Sequence, residues 1–144
     1  MNIPVKEKVI SELQEHIGVR LYQLPRKQIF YYGKLANGIE ILVCTPQSKL
    51  HINGHGWIDL TIIQVSMLDE AGYSILAFRL EGDKVYYLNF CDLKPYLTEE
   101  ALFNNEREGD HWKLYIWPKY IQILRNGRRL QIKPNNFEEL EAPS

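Results

Sequence analysis

The sequence predicts an α+β fold: an N-terminal helix followed by a mostly antiparallel, hairpin-rich mixed sheet. Three observations carry this. Val5, Val9, Leu13 and Ile17 recur every four residues with Ile10 beside them, the spacing of one helix face. Runs rich in β-branched and aromatic residues fill the middle of the chain. Turn signals such as Asn37-Gly38 and Asn126-Gly127 separate those runs.

The helix is expected over residues 4–17, with Pro4 in its first turn and Gly18 as its stop. QIFYYGKL and GIEILVCT then flank Ala36-Asn37-Gly38 as a hairpin. WIDLTIIQVSML reads as a strand that turns through Asp69 to Gly72 into YSILAFRL. VYYLNFCDL follows the turn at Glu81 to Lys84, and YIQILR and RRLQIK flank Asn126-Gly127. Lys94 to Asn105 reads as a short helix with Thr98 as its N-cap. Pro46 to Gly56 is the longest internal loop, and residues 134–144 read as a frayed tail.

A chain of 144 residues fits one domain, expected over 1–144, and can bury a core without a disulfide or metal. With 45% apolar and 24% charged residues, composition argues against disorder. Cys44 and Cys91 lie in apolar runs without a close partner, so both are expected as buried free thiols in a reducing compartment. The charged N-terminus lacks a signal-peptide apolar core, and no stretch has the length of a membrane span. A cytoplasmic protein with no membrane partner is the expectation. The net charge of -1 excludes a global basic field. Locally, Arg107 to Lys133 holds seven basic residues against Glu108 and Asp110, a net +5.

Chemistry-bearing motifs are sparse. His51, His55 and Asp59 have metal-ligand spacing for a helix, but Asn53-Gly54 and Gly56 favour a polar loop there. His16 is expected at the edge of the helix's apolar face, and His111 opens a strand without an evident partner. There is no nucleophile elbow, phosphate loop or dinucleotide fingerprint. The constellation that remains is Glu40, an acid between apolar neighbours on a strand, with Gln64 and Ser66. If IDLTIIQVSM is a strand beside Glu40, Gln64 and Ser66 share one of its faces.

This order of helix, hairpin with an acid on its second strand, and strand ending in Gln-x-Ser resembles the PD-(D/E)XK, or restriction-endonuclease-like, superfamily. The similarity covers roughly residues 4 to 97, including IIQVSMLDEAGYSILAFRLEGDKVYYLNFCDL. It implies a nuclease-like core in which carboxylates bind Mg²⁺ and a lysine orients water. Glu40 matches the family's acid, Gln64 its Glu or Gln, Ser66 its lysine, and Glu12 the optional helix acid. Ser66 lacks the lysine's charge and Gln64 offers only a carbonyl oxygen, so the resemblance implies an inactive domain. An active one would use Mg²⁺ and a migrated lysine such as Lys34 or Lys49; otherwise no cofactor is expected.

Two functions follow. One is an inactive nuclease-like domain that binds nucleic acid, or a nucleic-acid enzyme, with Arg125, Arg128, Arg129 and Lys133 meeting phosphates. The alternative is a non-enzymatic module that uses exposed aromatics to bind a protein partner or a second copy of itself. It rests on nine Tyr, three Trp and five Phe, with adjacent pairs such as Tyr31-Tyr32 and Tyr86-Tyr87 pointing to opposite strand faces.

Overall fold

The computed structural model describes residues 2–143 and is α+β, with an N-terminal helix and a mostly antiparallel arrangement of strands. Helix α1 spans Lys6–Ile17 and buries Val9, Ile10 and Leu13. Gly18 ends it at φ 77°, where its N–H donates to the Gln14 carbonyl, a left-handed cap that glycine adopts without a Cβ penalty. Val5 does not join the buried stripe. The helix begins after it, Val5 is extended at φ -71° and ψ 145°, and its side chain stays 59% exposed.

Strands β1 (Tyr22–Leu24), β2 (Lys27–Lys34), β3 (Glu40–Cys44), β4 (Gln47–Ser48), β6 (Tyr73–Leu80) and β7 (Lys84–Asn89) form sheet A. Its order is β1-β2-β3-β6-β4, with β7 also on β6. The expected hairpin around Asn37-Gly38 is present as the antiparallel pair β2–β3, whereas β3 and β4 both run parallel to β6. All eight residues of β6 are buried. A continuous apolar run of this kind suits a strand covered on both faces. Sheet B holds β5 (Gly56–Thr61), β8 (His111–Ile116), β9 (Tyr120–Ile123) and β10 (Arg129–Gln131) in the antiparallel order β10-β9-β8-β5.

Two apolar layers result. One lies between the sheets and includes Phe30, Phe78 and Tyr86 of sheet A with Leu60, Leu114 and Ile123 of sheet B. The other places Val9 and Leu13 of α1 against Val43, Ile75 and Tyr87 on the opposite face of sheet A.

The main departure from the sequence reading is at residues 62–70. WIDLTIIQVSML is not one strand: β5 ends at Thr61 and helix α2 covers Ile62–Glu70. Thr61 and Gln64 form a reciprocal capping box, each side chain bonded to the other's backbone N–H. The expected hairpin with YSILAFRL is therefore absent, and β5 and β6 belong to different sheets.

Other expectations are corrected more locally. Helix α3 (Phe90–Leu93) ends the run that begins with β7. Lys94 to Asn105 holds two short 3-10 turns, Lys94–Tyr96 and Glu99–Ala101, rather than one helix. Thr98 has N-cap backbone angles but its hydroxyl accepts from Asn126 Nδ2 at 3.0 Å, so it caps nothing. The loop at Pro46 to Gly56 contains the short β4. Residues 134–143 are docked rather than frayed. Asn135 exchanges two hydrogen bonds with Val85 on the edge of β7, Phe137 packs between His16 and Tyr87, and Leu140 is buried. The C-terminal end of the expected tail, Ser144, lies outside the described residues. Cys44 is buried as expected, but Cys91 opens onto solvent at α3.

Candidate functional site

Glu40 begins β3 and pairs with Lys34 across the β2–β3 hairpin. Both side chains line a cleft of about 660 Å³ where sheet A extends past α2. Met67 and Glu70 of α2 form one wall, and Tyr22 and Tyr32 stand on the other. The tyrosine rings lie 6.0 Å apart and are 52% and 44% exposed. Gly33 lines the same cleft, and a Cβ at this position would come within 2.5 Å of the Arg20 carbonyl oxygen, so a side chain does not fit there.

Gln64 and Ser66 do not meet Glu40 on a sheet face. Both are on α2, where Gln64 closes the capping box and Ser66 is exposed; neither lines the cleft. Helical side chains do not alternate as strand side chains do, so the shared strand face is lost. Glu12 is on α1, which packs on the other face of sheet A, and it lines a separate pocket with Lys8 and Tyr87. Lys49 lies outside the Glu40 cleft, but Lys34 lines it. Among the described residues, no three His, Cys, Asp or Glu side chains are grouped so as to hold a metal ion. His51 and His55 stack on one another, but Asp59 points to Trp57, Lys113 and His111 instead.

A second surface emerges from the alternation of sheet B. Ile58 and Leu60 of β5, and Trp112, Leu114 and Ile116 of β8, face the core. The intervening residues therefore face outward. Cross-strand register aligns Trp57, Tyr115, Gln122 and Arg129 in one row. Asp59 and Lys113 form the next row, with Thr61 and His111 beyond them. At the other end, Trp117 contacts His55 at 4.6 Å and Tyr120 at 6.2 Å between ring centroids.

The rings support one another and hold cations. His55 lies 4.2 Å from Tyr115, and Trp57 meets Tyr115 edge-on at 5.2 Å. The Lys113 ammonium is 5.1 Å from the Trp57 ring centre and 3.7 Å from an Asp59 oxygen. Arg129 lies 4.4 Å over Tyr120. His55 is only 6% exposed, and its Nδ1 has no hydrogen-bond partner among the described residues. Burial, and secondarily His51, lowers its pKa from the ordinary histidine value.

The Asn126-Gly127 hairpin is formed as expected, by β9 and β10, but its arginines are not a free tip. Arg125 donates to the Leu102 carbonyl and covers Phe103 at 3.7 Å. Arg128 donates to the Pro95 carbonyl and covers Tyr96 at 4.4 Å. Lys133 is exposed just after β10. The sequence reading therefore located the basic segment but missed His55, Trp57, Lys113, Tyr115 and Trp117 as neighbours. Alternation in HWKLYIW was the available signal; the β5–β8 pairing that joins it to Trp57 spans too much chain for a local pattern to reveal.

No family model, curated protein or solved structure matches the chain.

Proposed function

We propose that this chain is a nucleic-acid-binding domain without nuclease activity, and that the outer face of sheet B is its contact surface. The observation carrying this reading is the continuous row Trp57, Tyr115, Gln122 and Arg129, flanked by Lys113 and Trp117. Aromatic rings offer stacking surfaces to unpaired bases, while lysine and arginine meet phosphates. From the +5 segment, Lys113 and Arg129 bring positive charge to this face in a chain with net charge -1. Separation of Gln64 and Ser66 from Glu40 supports the inactive half of the reading.

The test is fluorescence anisotropy with a labelled single-stranded oligonucleotide across a salt series, beside a cleavage assay with Mg²⁺ or Mn²⁺. Binding should weaken as salt rises, and Lys113→Ala should lower the salt slope by about 0.7, one phosphate contact on a single strand. Trp117→Ala should lose about 1 to 3 kcal/mol if the indole stacks a base. Cleavage should remain at background. Cleavage abolished by Glu40→Ala would show an active nuclease, while absence of oligonucleotide binding would remove the proposed role of sheet B.

A further inference from the structure

The cleft beside α2 carries a second surface of opposite electrostatic character. The helix sequence IIQVSMLDE is apolar on several sides, yet Leu68 is its one fully buried residue. Ile62 and Ile63 remain 42% and 66% exposed. Ile63, Met67 and Glu70 follow the i, i+4, i+7 spacing of one helix stripe. Met67 and Glu70 form a cleft wall, so the stripe carries apolar surface from the cleft to Ile63. Tyr22 and Tyr32 extend it on the other side. Among the described residues neither Glu40 nor Glu70 makes an ion pair, and with Lys34 they leave one excess negative charge in the lining.

From this combination we infer that the α2 cleft docks a short apolar segment of a partner protein carrying a lysine or arginine beside its apolar anchors. The anchors cover Ile63 and Met67. The cation faces Glu70 and Glu40, with its aliphatic stem against the two tyrosine rings. Charge selects this occupant over nucleic acid, because the excess negative charge of the lining, Glu40 and Glu70 against Lys34, repels phosphates. The breadth of the surface, from Tyr22 across the cleft to exposed Ile63, suits a peptide segment better than a compact ligand. This face and the outer face of sheet B use different residues, so the inference stands independently of nucleic-acid binding.

The experiment pans phage-displayed random peptides against the whole chain, then measures selected synthetic peptides by anisotropy. Apolar peptides containing Lys or Arg should be enriched, and changing that cation to Glu should weaken binding by roughly tenfold or more. Ile63→Asp and Glu70→Lys should each weaken the peptide similarly while oligonucleotide binding persists. Both positions are exposed, and a circular dichroism melt checks that each variant folds. No enrichment, selected peptides without a cation, or unchanged binding by both variants would overturn the proposal. Sedimentation showing a concentration-dependent dimer lost in Ile63→Asp would also overturn it by assigning the face to a second copy. Loss of oligonucleotide binding with peptide binding intact would instead count against the role of sheet B alone.

Discussion

Sheet A and sheet B press one face each into a shared core, and their other faces diverge. The second face of sheet A is covered by α1 and by residues of the docked C-terminal segment. That of sheet B presents Trp57, Lys113, Tyr115 and Arg129, partly shielded by one another. The strand patterns show the cause. Every residue of β6 is buried, whereas β8 alternates between Leu114 or Ile116 inside and Lys113 or Tyr115 outside. A strand buried on both faces is committed to stability. A strand buried on one face leaves every second side chain free for a partner.

The largest expected effect tests that division. Leu13 is fully buried where α1 covers sheet A. Leu13→Ala should cost about 2 to 5 kcal/mol from lost burial and an incompletely collapsed cavity. Arg129→Ala, which removes an exposed cation from over the half-buried Tyr120 ring, should cost only about 0.5 to 1 kcal/mol. Urea denaturation of both variants checks the contrast. Equal losses would mean that the outer face of sheet B also contributes strongly to folding.

A smaller effect distinguishes capping from catalysis at α2. Thr61→Ala removes the oxygen that accepts the Gln64 N–H, and should lower stability by about 1 kcal/mol. Ser66→Ala, at an exposed position whose side chain makes no hydrogen bond among the described residues, should stay within about 0.5 kcal/mol. Chemical denaturation of the two variants provides the measurement. A larger loss at Ser66 than at Thr61 would contradict the helix and its cap, and revive the strand in which Gln64 and Ser66 share a face.

These residues also show what was legible in the sequence. The spacing of Val9 and Leu13, the Gly18 stop and the Asn37-Gly38 and Asn126-Gly127 turns give α1 and two hairpins through local rules. IDLTIIQVSM is ambiguous because a short apolar run can satisfy strand or helix. Thr61-x-x-Gln64 was the missed local signal, since its side chains satisfy backbone N–H groups that a helix start leaves open. As a strand, that run would set Gln64 and Ser66 on one face beside Glu40; as a helix it does not. The surface around Trp57 was less accessible to sequence reasoning because its neighbours arrive from β8, more than fifty residues later. Cys91 followed the same limit: its apolar neighbours Phe90 and Leu93 are buried on α3 while the thiol itself faces out.

The smallest expected effect concerns acidification of the exposed face of sheet B. His55 is 6% exposed among His51, Tyr115 and Trp117, and its Nδ1 has no hydrogen-bond acceptor or donor among the described residues. Burial disfavours the imidazolium, and His51 adds a smaller unfavourable interaction, so folding lowers the His55 pKa from its ordinary 6.5. The unfolded chain therefore binds this proton more readily. The associated stability is fully present above the unfolded pKa and is lost as pH falls through the lower folded pKa. Urea midpoints across this range should decline on acidification more for the wild type than for His55→Phe, because phenylalanine keeps a ring without titrating. Comparing the two slopes isolates His55 from titrations common to both chains. Parallel slopes would show that His55 remains as hydrated in the folded chain as in the unfolded one. A wild type that gains relative stability on acidification would require an anionic partner for the ring, and would place Asp59, now held by Trp57 and Lys113, nearer to His55 than these contacts do.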